Sequence, residues 1–346
     1  MPASTTKRIL AVIAAILGVA MIALGVHLYR SRRPVAPPAP VTAAAPATLG
    51  QLPPDAPGLA YIDVVALRKL QGSTLASLLG LAGPAPAEDR DYQDFVRGTG
   101  FDYTRDLDNA AIAFWLANRV DASNNSDTDQ VVVIAEGRFD QTKIDGYALR
   151  TGHVVTRGSE QIYEVPGKPP VAFEFLAPNR ILLASGKNPA SLLGPYATAR
   201  RDPAVQTLID RVAAAPLFAV ARTDNLPPTF YDSFRSSPQL AGVARDIQGL
   251  TLAGQPSGND LQLALDAECS SMAHAMEMST LLDGLRLLGS MALSGPKTRR
   301  QMTHDQIEFA NAVLGQAKIS HQDRWVRVSL DVTPAMLGEK TSASDP

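Results

Sequence analysis

The chain has 346 residues, a net charge of −2, 45% hydrophobic and 19% charged residues. At roughly 150 residues per domain this length suggests two domains, and near-neutrality excludes a nucleic-acid binder that works through bulk charge. A single cysteine excludes an internal disulfide framework and a cysteine-rich metal site.

The first element is an uncharged run, Ile9–Tyr29, with Lys7 and Arg8 before it and Arg30, Arg32 and Arg33 after it. At about 1.5 Å per residue a helix of that length spans roughly 30 Å, one hydrocarbon core. It exceeds the usual signal-peptide core of about 7–15 residues. The run therefore predicts an uncleaved transmembrane signal anchor over 9–29 behind a cytoplasmic tail, 1–8. This implies a single pass through the inner (cytoplasmic) membrane, with the lipid bilayer as partner of 9–29 and the body extracytoplasmic. Residues 1–33 carry five basic and no acidic groups, so the remainder has 27 basic against 34 acidic. The body is thus mildly acidic, without a basic stripe for nucleic acid. Residues 30–57 hold eight prolines among alanines, and that composition predicts a semi-rigid extended linker.

Beyond the linker, strands and helices alternate. Gly58–Val64 reads as a strand, followed by a helix near Ala66–Leu81 and another over Asp89–Arg97. Ala110–Leu116 and Val131–Gly137 read as strands. Asp140 is the N-cap of a helix running to Arg150, with Gly152 as its stop. Strands follow near His153–Thr156, Gln161–Val165, Val171–Leu176 and Arg180–Ser185, then helices near Pro189–Arg200 and Pro203–Ala214. The series restarts with a strand at Leu217–Arg222, a helix near Pro238–Asp246 and strands at Leu250–Gly254 and Asp260–Glu268. In the last of these Leu261, Leu263, Leu265 and Ala267 face one way, and Gln262, Ala264, Asp266 and Glu268 face the other. A long helix covers Ser271–Leu293, another Gln301–Gly315, and Lys318–His321 with Trp325–Val332 forms the last hairpin.

Arg105-Asp106-Leu107 and Arg245-Asp246-Ile247 introduce strands at the same point of the two series, the mark of an internal repeat. The expected fold class is α+β: an N-terminal transmembrane helix followed by two repeated modules, 58–214 and 215–338, each an antiparallel sheet with helices on one face. Residues 339–346 read as a disordered tail.

Three stretches carry a resemblance: the Pro/Ala tether behind its anchor, Asp55-Ala56-Pro57-Gly58-Leu59-Ala60-Tyr61-Ile62-Asp63-Val64, and Thr99-Gly100-Phe101-Asp102-Tyr103-Thr104-Arg105-Asp106-Leu107-Asp108. Together with Lys318-Ile319 and Trp325–Val332 they resemble a group of uncharacterised exported bacterial proteins common among acidobacteria-like genomes. The resemblance implies no activity, cofactor or catalytic residue.

Chemistry is sparse. No two of the five histidines have metal-ligand spacing, and no nucleophile elbow or phosphate-binding loop is present. Cys269, Met272, His274, Met276 and Met278 have soft ligand types suited to Cu(I). Met276 and Met278 lie about 200° apart on a helix, so they do not converge. Met278 instead joins Leu281, Leu285 and Leu288 in an apolar stripe. Arg105, Asp106 and Asp108 read as a structural cap. Asp121–Asp129 lacks the glycine and closing glutamate of a calcium loop. The sequence therefore predicts no catalytic residue, no cofactor and no metal. The loop Thr223–Ser237 is the interaction element, with Phe230, Tyr231 and Phe234 beside Pro227-Pro228 as a partner-binding set. The expected function is an extracytoplasmic interaction or scaffold protein of the bacterial cell envelope, with an envelope protein as partner. The alternatives are an apolar small-ligand or lipid-binding module and a hydrolase with a dispersed catalytic site.

Overall fold

The computed structural model describes residues 47–68, 90–116, 129–167, 169–196, 200–225, 242, 244–258, 260–293, 304–333 and 336. Twelve strands form one antiparallel sheet. In chain order they are β1 Gly58–Asp63, β2 Leu107–Trp115, β3 Gln130–Gly137, β4 His153–Arg157, β5 Glu160–Val165 and β6 Val171–Ala177. The others are β7 Arg180–Ser185, β8 Leu217–Arg222, β9 Ile247–Ser257, β10 Asp260–Cys269, β11 Lys318–Gln322 and β12 Trp325–Val332. Their spatial order is β11-β12-β10-β9-β8-β1-β2-β3-β7-β6-β5-β4. The helices are α1 Val64–Leu67, α2 Arg90–Thr99, α3 Tyr103–Asp106, α4 Gln141–Thr151, α5 Pro203–Val212, α6 Met272–Leu293 and α7 His304–Gln316.

The expected fold class is corrected in three respects. The two modules do not have separate sheets. β1 pairs with β8, Leu59 opposite Val220, Ala60 opposite Ala219 and Tyr61 opposite Phe218, and this seam makes one sheet. Phe218, Leu59 and Val220 are buried there, and the Tyr61 and Phe218 rings lie 5.6 Å apart. Secondly, helices do not lie on one face alone. α4 packs on Tyr163, Phe173 and Ile181, and α6 on Leu250, Ala267 and Val326, all on one face. The opposite face is covered by α5 and by 3-10 helices at Ala47–Gln51 and Pro189–Leu192, which enclose Leu59, Ile134, Leu182, Phe218 and Val220. Thirdly, no helix among the described residues is long and apolar enough to cross a membrane. The transmembrane span expected over 9–29 lies outside those residues, so the fold is described without a membrane anchor.

Residues 47–57 also depart from the expected linker. They fold as a 3-10 turn and a short descent into β1, with Leu49, Leu52 and Ala56 buried. Arg201 fastens this segment by donating to the carbonyls of Leu49 at 2.8 Å and Pro53 at 3.4 Å. Proline and alanine are compatible with this path because it needs few backbone donors, while the leucines anchor it.

The two halves of the sheet repeat in strand order, register shift and several backbone bonds. A register shift falls at Leu107/Asn109 where β2 meets β3, and another at Glu268/Cys269 where β9 meets β10. Arg138 N donates to Asp106 O and Ser270 N to Asp246 O, both at 2.9 Å. Gly137 N bonds Asn179 O in the β6–β7 turn, and Cys269 N bonds Arg324 O in the β11–β12 turn. The Arg68 guanidinium caps Leu107 O, and the Thr223 hydroxyl caps Ile247 O. β6–β7 therefore corresponds to β11–β12, and β4–β5 is an addition at one edge of the sheet.

Candidate functional site

The sequence-predicted partner set Phe230, Tyr231 and Phe234 lies outside the described residues, as do 121–128 of the Asp-rich loop. The remaining predicted groups are placed. Asp106 is buried at the turn between α3 and β2, gripped by Arg105 at 2.6 Å and Arg138 at 3.3 Å. The Arg105 hydrogen bond holds its carboxyl at about 2, well below the usual carboxylate range. Asp102 caps α3 by accepting from Thr104 N at 2.9 Å, and Asp108 faces Arg68 at 3.9 Å. These bonds close the α3 turn and join it to neighbouring segments, which gives the cluster a structural role.

The soft-ligand set does not assemble. Cys269 is buried, and burial pushes its thiol up to about 11. Met272 and Met276 point to solvent while Met278 is in the core. Among the described residues no group of His, Cys, Asp and Glu is arranged to hold a metal.

A serine, a histidine and an aspartate do meet at the start of α6. Ser270 Oγ lies 2.6 Å from His274 Nδ1, and Asp246 Oδ1 lies 3.5 Å from the same nitrogen. A nucleophile relay needs the serine on one ring nitrogen and the carboxylate on the other. Here both contact Nδ1, and Ser271 Oγ accepts from His274 N in N-cap fashion. The trio closes the helix end and is not a triad.

Two features were not legible as sites. The first is the outward face of α6. Met272, Met276, Leu288 and Met291 are 65%, 56%, 61% and 64% exposed on this one 22-residue helix. At 100° per residue they span an arc of about 160°, opposite the buried Ala275, Met278, Leu282 and Leu293. Leu288, expected in the apolar stripe, lies about 80° round from Met278, past the edge of the buried arc. Gly284 sits in the middle of the exposed arc, and a Cβ there would meet nothing within 4 Å. Glu277 and Asp283 lie within the arc, and Arg286, on the buried side of the helix, donates to the carbonyl of Ala317 and lies 3.6 Å from Asp283.

The second is a charge cluster on the other face of the sheet. Asp266, on the sheet face opposite Leu265, is 1% exposed. Helix α5 covers it. Arg211 Nε from that helix bonds Asp266 at 2.6 Å, and Arg327 from β12 adds two bonds at 2.6 Å. The Arg211 guanidinium also lies 4.1 Å from the Trp325 ring centre. A spacing of 55 residues in one contact and 61 in the others leaves no local motif by which sequence reading could find this cluster.

No family model matches the chain, and no curated protein matches it. Among solved structures it is similar to crystal form I of TP0453, with a TM-score of 0.48 and 10% identity over 85% of this chain and 96% of that one. Crystal forms III and IV of the same protein give a TM-score of 0.47 at 11% and 10% identity, over 83% of this chain and 94% of those. At that distance no residue role or activity passes from TP0453 to this chain.

Proposed function

We propose that the protein is a non-enzymatic interaction protein that docks a partner helix on the outward face of α6. The observation that carries this reading is the exposure of four large apolar side chains on one helix, around an open glycine. Isolated exposed leucines are ordinary, and Leu149 or Leu176 is of that kind. Four on one arc are not. Methionine is flexible and polarisable, so a surface rich in it adapts to a helical partner. Gly284 lets a crossing helix approach closely between Met276 and Leu288. Glu277, exposed within the arc, favours a partner that carries a lysine or arginine among its apolar residues. The resemblance to exported proteins alone supports a cell-envelope partner. An apolar-ligand role has weaker support, since the side chains between the sheet and α4, among them Ile144, Ala148, Tyr163 and Phe173, are packed and buried.

The test is chemical crosslinking in the cells that make the protein, comparing wild type with Met276→Glu/Leu288→Glu. Both positions are exposed, so the variant should fold with stability within about 1 kcal/mol of wild type. Loss of the wild-type adducts supports the reading. Undiminished adducts would remove α6 as the docking surface.

A further inference from the structure

We propose that the sheet face carrying Asp266 binds a small oxyanion, a phosphate or a carboxylate, through the donors of Arg327 and Arg211 that Asp266 does not use. This face is opposite to α6, so the inference stands apart from the docking surface.

Two guanidinium groups converge on one buried carboxylate. Arg327 spends Nε and Nη2 on Asp266, and Arg211 spends Nε. An arginine has five N–H donors, so Nη1 of Arg327 and both Nη groups of Arg211 remain. The arginine side chains are only 17% and 26% exposed. Half-buried cations with unspent donors carry a desolvation cost that a second anion would offset.

The surroundings form a shelf. Ser320 on β11 lies opposite Arg327, and Ser329 on β12 lies opposite both Lys318 and Ala264. Ala264 in turn lies opposite Ala253. Ala253 packs on the core, so the floor beside Arg327 is Ala264 with Ser320 and Ser329, side chains small enough to leave room for a ligand of a few atoms. The nearby charges are nearly matched. Lys318 pairs with Asp331 at 3.5 Å, Gln262 also donates to Asp331 at 3.1 Å, and Arg324 pairs with Glu268 at 2.6 Å. At the shared carboxylate itself, two cations (Arg211, Arg327) against Asp266 leave one positive charge.

Trp325 supplies the readout, because Arg211 rests on its ring. In a Trp115→Phe protein all tryptophan emission comes from Trp325. Sodium phosphate and sodium acetate are titrated separately against sodium chloride at matched ionic strength. The expected result is a saturable change with phosphate, acetate or both, and none with chloride. Saturation by phosphate alone identifies a tetrahedral anion, and saturation by both identifies the wider carboxylate class. Ser329→Asp puts a carboxylate on the floor without touching the Arg–Asp bonds, and should weaken binding at least about tenfold. Lys318→Gln, at an exposed edge position, is the second variant and should weaken it several-fold. If neither anion saturates, or if both variants bind as tightly as wild type, the two arginines only clamp α5 to the sheet and the proposal fails.

Discussion

Gly284 offers a test in which stability and binding move in opposite directions. It sits in the interior of α6, exposed, and an added methyl would meet no atom within 4 Å. Glycine in a helix interior costs about 0.5–1 kcal/mol relative to alanine, through backbone entropy. Nothing in the fold opposes that gain at this position. Gly284→Ala should therefore raise the unfolding free energy by about 0.5–1 kcal/mol and the melting temperature by roughly 1–3 °C. Urea unfolding followed by far-ultraviolet circular dichroism measures it, with the slope against denaturant unchanged. Gly284→Leu should keep most of the gain, since leucine is a good helix former. It should also fill the gap where a partner helix would cross, so crosslinked adducts should fall. A Gly284→Ala protein less stable than wild type would show that the position is packed, and would refute the open face of α6.

Other outcomes follow from the fold. Phe218→Ala at the β1–β8 seam should cost about 3–5 kcal/mol. In single-tryptophan variants, Trp115 in β2 and Trp325 in β12 should report the same shifted transition; two separate transitions would show that the halves unfold independently. Glu174 is buried between Ile162 and Leu182, with its nearest cation, Arg157, at 4.0 Å. Burial raises its carboxyl above the ordinary value, helped by Glu160 and opposed by Arg157. The folded state thus holds this proton more tightly than the unfolded chain, giving stability present in acid and lost as pH rises through the raised pKa. Glu174→Gln should remove that loss and be the more stable protein at neutral pH; a variant equally pH-sensitive would contradict this. Asp106 has the opposite sign: its stability contribution is present above the ordinary carboxylate pKa and disappears as pH falls towards about 2. Asp106→Asn should therefore destabilise at neutral pH, and the difference from wild type should shrink in acid. Under dilute peroxide, peptide mapping should find Met272, Met276 and Met291 oxidised well before Met278, which is 5% exposed.

Much of the sheet could be read from alternation. Leu261, Leu263, Leu265 and Ala267 do face the helices together, as do Val326 and Val328, because a half-buried strand has a strict period of two. The seam could not be read that way. β1 and β8 lie at the middle of the sheet, where residues of both faces are buried: Leu59 and Ala60 on one strand, Val220 and Ala221 on the other. Such strands are apolar throughout and carry no sign of their neighbours. Their pairing joins residues distant in the chain, so two modules and one sheet look alike in sequence. The burial of Asp266 could not be read for a related reason. Alternation puts it on the polar side, but the cover over that side comes from α5, far earlier in the chain. The outward face of α6 was hidden by composition, since methionine and leucine in a long helix read as core until the buried arc is located.

The docking face of α6 can be tested most directly by position. A photoreactive residue is introduced singly at Met276, Thr280, Gly284 and Leu288, and at the exposed Thr207 on α5, in cells producing the full chain. At 100° per residue the four α6 positions step across one arc of about 120°. The account predicts one adduct of common mass from all four and none from Thr207. No adduct from α6, or equal yield from Thr207, would contradict it.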